Sequence, residues 1–152
     1  MPILEKISTL NDMKNLMNEL HRLEVKFLFD FYGALQDFSS KKFLPQWLQK
    51  KSINTVFINE NGNGILAKLK NSKRLSVIIY DLETPDLNGL QFMAELEKEP
   101  DLKSRCKIIL ATPKLVPDAQ SKLLHLGAAA LVSKPLDGDN LRAAFEKIGL
   151  DY

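Results

Sequence analysis

The chain has 152 residues, 45% of them hydrophobic and 26% charged, a balance that suits one globular domain with a full core. Its net charge of +2 is too small to argue for a nucleic acid or a membrane surface as partner, and no apolar run is long enough for a membrane span or a signal peptide. The single cysteine, Cys106, excludes an internal disulfide and fits a reducing cytosol, and His21 and His125 stand apart from any zinc-type cluster.

Residues 1–28 read as an N-terminal helical extension to a domain over 29–152. Ser8 or Thr9 can cap a helix, and Leu10, Met13, Leu16, Met17, Leu20 and Leu23 form an apolar stripe along it. Two readings stay open: a helix packed on its own domain, and a helix that makes a homodimer or another partner contact. Residues 31–35 are read as the first strand, although Gly33 weakens it. Ser39 and Ser40 are candidate caps of a first helix over 40–51, where Pro45 suits the start better than the interior. Residues 55–58 are the second strand. Asn61-Gly62 and Asn63-Gly64 read as turns, and Ile65, Leu66 and Leu69 as a short second helix.

The third strand, 77–80, has the pattern of a strand buried on both faces of a parallel sheet. Asp81 follows where such a strand leaves the sheet, and Pro85, Asp86, Asn88 and Gly89 mark a turn. Leu90, Met93 and Leu96 carry a third helix that ends before Pro100. Residues 108–111 are the fourth strand, followed by Thr112 and Pro113. Pro117 suits the first turn of a fourth helix, with Leu123, Leu124 and Leu126 inside and Gly127 at its end. Residues 129–132 are the fifth strand, running into Ser133, Lys134 and Pro135. Asp137 or Asp139 caps a last helix that carries Leu141, Ala144, Phe145 and Ile148 and closes at Gly149. Five alternations of strand and helix predict an α/β fold: a doubly wound, five-stranded parallel sheet in the flavodoxin-like order 2-1-3-4-5, with an extra N-terminal helix.

In such a sheet, ligands bind at the carboxyl ends of the strands. Gln36 and Asp37, Asp81, Thr112 and Lys134 all fall there. Taken singly, Asp81 and Thr112 read as turn or cap residues and Lys134 as a solvated lysine. Together, two acids, a hydroxyl and an ammonium suit a phosphoryl group with a divalent metal. Asp81 can be a nucleophile that forms an acyl phosphate, and Asp37 and Asp81 can hold Mg²⁺. The charge distribution agrees. Residues 36–75 carry a net +6 and 76–101 a net −6, so the stretch around Asp81 is acidic.

Three stretches now resemble one family. They are I-I-Y-D-L-E-T-P-D-L-N-G at 78–89, I-I-L-A-T at 108–112 and L-G-A-A-A-L-V-S-K-P at 126–135. From about 31 to 150 the chain is similar to the receiver domains of bacterial two-component response regulators, the CheY-like family. The resemblance implies a cytoplasmic signalling module rather than an enzyme. It implies Asp81 as phosphoacceptor, Thr112 as switch hydroxyl and Lys134 as the lysine of the site. It implies Mg²⁺ held by Asp37, Asp81 and the Glu83 backbone carbonyl, with Gln36 contributing weakly or through water. A histidine kinase or phosphotransfer protein would supply the phosphate, and an output protein would bind the face made by helix four, strand five and helix five. Neither nucleic acid nor membrane is implied.

Four positions differ from the family pattern. Gln36-Asp37 stands where two acids are usual, so weak Mg²⁺ binding is expected. Pro113 follows the switch hydroxyl in place of a small residue, Leu131 stands at the aromatic switch position, and Thr84 stands where methionine is usual. The last helix ends with the chain, so a stand-alone receiver is expected. One rival is a pseudo-receiver, an interaction module not switched by phosphate. Another is a small flavodoxin-like enzyme or nucleotide binder, but no G-x-G-x-x-G or Walker-type loop is present. No helix-turn-helix segment remains for a DNA-binding regulator.

Overall fold

The structure, a computed structural model, describes residues 10–17, 29–51, 53, 56–59 and 61–150. The expected alternation is present. β1 (Phe29–Ala34) is followed by α1 (Phe38–Lys50), β2 (Val56–Asn59), α2 (Gly62–Asn71) and β3 (Leu75–Asp81). Then come α3 (Gly89–Glu97), α4 (Pro100–Arg105), β4 (Cys106–Thr112), α5 (Pro117–His125), β5 (Ala130–Ser133) and α6 (Gly138–Lys147). All neighbouring strands pair in parallel, in the expected order β2-β1-β3-β4-β5.

The sheet is buried on both faces because its strands carry large apolar residues without regard to alternation. Phe31, Val77, Ile79, Ile109 and Val132 meet α1 and α6 through Leu44, Trp47, Leu48, Leu141 and Phe145. On the other face Tyr32, Ile78, Tyr80, Ile108 and Leu110 meet α2, α3 and α5 through Ile65, Leu69, Phe92, Leu96 and Leu123. In β3 every residue after Leu75 is buried. A chain so buried cannot leave its polar groups unpaired, which is why the hydrogen-bonded ladder and the apolar run coincide.

Most differences from the expected elements are shifts of one to three residues at their ends. Asp37, not Ser39 or Ser40, caps α1, and Pro45 lies inside that helix, which forgoes one intrahelical bond there. Gly33 does sit within β1. A β-carbon there would meet Ile58 Cδ1 at 2.8 Å and Leu44 Cδ2 at 3.2 Å, so the missing side chain lets α1 lie close to the sheet. Asn61-Gly62-Asn63-Gly64 is not a pair of turns but the cap and first turn of α2, with Asn61 Oδ1 accepting the Gly64 N–H at 3.0 Å. The six-residue α4 was not expected, and Pro100 begins it instead of merely ending its predecessor.

Of the N-terminal extension, residues 10–17 are helical as expected, with Leu10, Met13 and Met17 exposed. The proposed caps Ser8 and Thr9, the stripe residues Leu20 and Leu23, and His21 lie outside the described residues. No helix among the described residues is long and apolar enough to cross a membrane.

Candidate functional site

Parallel pairing puts the carboxyl ends of β1, β3, β4 and β5 on one edge of the sheet. Asp81 is the last residue of β3 and is 3% exposed. Its partner in register is Ala111, so Thr112, also buried, ends β4 one residue further on. Ala34 of β1 pairs with Tyr80, which brings Gln36 and Asp37 out of the sheet beside Asp81. Lys134 follows β5 directly. Its backbone N–H donates to the Thr112 carbonyl at 2.9 Å, continuing the ladder by one rung and fixing where the lysine side chain starts.

The side chains converge. Lys134 Nζ donates to Asp37 Oδ1 at 2.5 Å and to Asp81 Oδ2 at 2.6 Å. The Gln36 backbone N–H also donates to Asp81 Oδ2, at 2.7 Å. The other oxygen, Asp81 Oδ1, is buried and has no hydrogen-bond partner. Asp37 serves two structures at once, because its Oδ2 accepts the Ser40 N–H at 2.8 Å and so caps α1. Below the site the Thr84 hydroxyl donates to the Asp81 backbone carbonyl at 2.7 Å, which tightens the turn after β3.

The charges follow from this geometry. Burial alone would raise the Asp37 carboxyl. The hydrogen bond and charge of Lys134, with the Ser40 N–H, outweigh it and bring the group down to about 2. Burial likewise works against the Lys134 ammonium, and the two carboxylates overcome it, so its pKa is raised. At neutral pH the Lys134 ammonium therefore lies between two acids.

Asp37, Asp81, Thr112 and Lys134 are thus gathered at one edge, as the sequence spacing predicts. Gln36 is there too, with its backbone N–H on the site. That contact has no sequence signal, since any residue but proline could make it. The Asp37 cap did have one, an acid three residues ahead of Ser40. Among the described residues no three His, Cys, Asp or Glu side chains gather as metal ligands. The donors present still fit Mg²⁺, a hard cation that is often held by one or two carboxylates with carbonyls and water. The Asp81 carboxylate has acceptor capacity to spare, because Oδ1 is buried without a partner.

Residues 37–146, well over half of the chain, match the family model described as the response regulator receiver domain. The chain belongs to that family. This receiver is 27% identical over 116 residues to a sensor histidine kinase, AruS, of Pseudomonas aeruginosa, covering 76% of this chain and 12% of that protein. It is 35% identical over 75 residues to a protein-glutamate methylesterase/protein-glutamine glutaminase of Treponema denticola, covering 49% of this chain and 20% of that protein. The receiver therefore spans a fifth or less of these curated relatives. Its fold is similar to that of the chemotaxis protein CheY4 of Vibrio cholerae, with a TM-score of 0.68, 20% identity, and coverage of 80% of this chain and 98% of that one.

Proposed function

We propose that this receiver is switched by phosphorylation of Asp81, with a histidine kinase or phosphotransfer protein as donor. The observation that carries the reading is the asymmetry of one buried carboxylate. Asp81 Oδ2 is held by Lys134 and the Gln36 N–H, while Oδ1 has no partner. A carboxylate oriented through one oxygen presents the other as a nucleophile.

The chain's own residues then have definite tasks. Asp81 Oδ1 forms the new bond to phosphorus as the bond from phosphorus to the donor's imidazole nitrogen breaks, and the imidazole leaves with that electron pair. Lys134 turns from the carboxylates toward a phosphoryl oxygen and neutralises it, and the Thr112 hydroxyl donates to another. Asp37, Asp81 and the Glu83 backbone carbonyl would hold Mg²⁺, with Gln36 through its amide oxygen or a water. When bound, the ion offsets the repulsion between carboxylate and phosphoryl oxygens. Output is by protein contact, and residues 1–28, read as an extension to the 29–152 domain, can carry a homodimer contact through Leu10, Met13 and Met17, which are exposed.

The deciding experiment is incubation with acetyl phosphate and Mg²⁺, trapping of the acyl phosphate with borohydride, and peptide mapping. A single label on Asp81 that Asp81→Asn removes is expected. A label elsewhere, or none under conditions where Mg²⁺ binds, leaves the pseudo-receiver reading in its place.

A further inference from the structure

The residue before Asp81 is a tyrosine, and its ring faces away from the site. Tyr80 is fully buried against Phe92, with ring centroids 4.5 Å apart. A buried phenol needs an acceptor for its O–H. Tyr80 finds it in the backbone carbonyl of Leu87, seven residues along. The loop after Asp81 is thus tied at both ends. The Leu82 N–H donates to the Ala111 carbonyl and the Gly89 N–H to the Leu82 carbonyl, each at 2.9 Å. The Thr84 N–H and hydroxyl both donate to the Asp81 carbonyl. Of these anchors, Tyr80 alone reaches the far part of the loop through a side chain in the core.

The start of α2 makes room for it. A β-carbon on Gly62 would fall on the Tyr80 hydroxyl and would also crowd Leu87 Cδ2 at 2.9 Å and Phe92 Cδ2 at 3.0 Å. Gly62 is buried in the first turn of α2, where a residue with a side chain is otherwise the better helix former. One glycine in the Asn-Gly-Asn-Gly stretch therefore has a purpose unrelated to turning the chain.

We propose that Tyr80 is a positioning residue of the phosphoacceptor loop. Its phenol, admitted by Gly62, holds the Leu87 carbonyl and through it sets the loop on which Glu83, whose carbonyl is the proposed Mg²⁺ ligand, lies two residues after Asp81. The inference rests on the phosphoacceptor reading for its consequence, but not for the anchor itself. Tyr80→Phe keeps the ring and its contact with Phe92 and removes only the hydroxyl.

Two readouts test this on the full chain. The first is amide hydrogen exchange. In Tyr80→Phe the N–H groups of Thr84, Leu87 and Gly89 should exchange roughly tenfold faster, the factor set by one hydrogen bond of ordinary net strength. Amides of β1 and β4 should stay within about twofold. The second is the Mg²⁺ concentration for half-maximal labelling by acetyl phosphate. It should rise about three- to tenfold, while the rate at saturating Mg²⁺ changes less than about twofold, because the carbonyl is displaced and the nucleophile is not. Phe92→Leu, which loosens the core but leaves the phenol, should lower the melting temperature without moving that midpoint. Gly62→Ala should speed the same three amides, and combined with Tyr80→Phe the two should add to less than their sum. Unchanged exchange in Tyr80→Phe, uniformly faster exchange, strict additivity with Gly62→Ala, or an unmoved Mg²⁺ midpoint would each overturn the proposal. If the native chain takes no label at all, the phosphoacceptor reading falls, and the exchange data alone decide whether Tyr80 anchors the loop.

Discussion

Two buried carboxylates lie on neighbouring strands of this sheet, near opposite ends of them, and they are held differently. Asp30, near the start of β1 and 4% exposed, takes Arg74 Nε at 2.8 Å. Asp81, at the end of β3 and 3% exposed, shares one ammonium with Asp37. Neither Asp30 oxygen is buried without a partner, whereas Asp81 Oδ1 is. The Arg74 side chain is also about half exposed, so its charge keeps much of its hydration. Burial and an ion pair are common to both acids and distinguish nothing. What differs is the spare acceptor, which at Asp81 supports the proposed role as nucleophile.

The strongest way to break this comparison is to remove each carboxylate in turn. Asp81→Asn should abolish labelling by acetyl phosphate. Asp30→Asn should keep labelling within about twofold and lower the unfolding free energy in urea by about 1–3 kcal/mol, less than a fully buried pair because Arg74 can turn to water. Equal losses of labelling would erase the distinction. Gln36→Asp sharpens it. Two unit charges about 4 Å apart interact by about 4 kcal/mol at an effective dielectric of 20, partly offset by the repulsion a third acid adds. Mg²⁺ should therefore bind roughly tenfold tighter by calorimetry, and a native chain that binds as tightly as the variant would show that the missing charge is irrelevant.

The pH dependence is a smaller test. Asp37 has a depressed pKa, so its stabilisation is present above the ordinary carboxylate range and is lost as pH falls through about 2. The raised Lys134 works in the other direction, contributing below the ordinary lysine range and fading as pH rises past its folded value. Asp37→Asn should flatten urea stability between about pH 4 and pH 2 compared with the native chain. An unchanged acid limb would show that other groups set it. The smallest expected effect concerns the extension. Removing residues 1–25 should lower the melting temperature or change sedimentation beyond the loss of mass, because the Leu and Met side chains exposed at 10, 13 and 17 need cover. A truncated chain that melts and sediments as the native one does would make the segment a tail.

The sequence made the strand order and the gathering of Asp37, Asp81, Thr112 and Lys134 legible, because both follow from apolar runs separated by helical spacing. Parallel pairing then leaves the carboxyl ends no choice of edge. The Lys134 bridge between two acids was less legible, since side-chain direction depends on the ladder rung at Thr112. The beginning of α2 was misread because Asn-Gly is a turn signal in isolation, whereas the Asn61 side chain in fact caps a helix by accepting the Gly64 N–H. The short α4 was missed because six residues carry too little periodicity to register, and one buried residue, Leu102, holds it.

Asp37 divides its two oxygens between a helix and a lysine, and this ties the site to the geometry of α1. A ligand that drew Oδ2 away would leave the Ser40 N–H without its acceptor at the positive end of the helix, so capture of that oxygen would be coupled to initiation of α1. By reciprocity, anything that clamps the first turn of α1 weakens the hold of a ligand on Asp37 to the same degree. Phe38, the first residue of that turn, is 78% exposed, so the turn that Asp37 caps stands open to solvent.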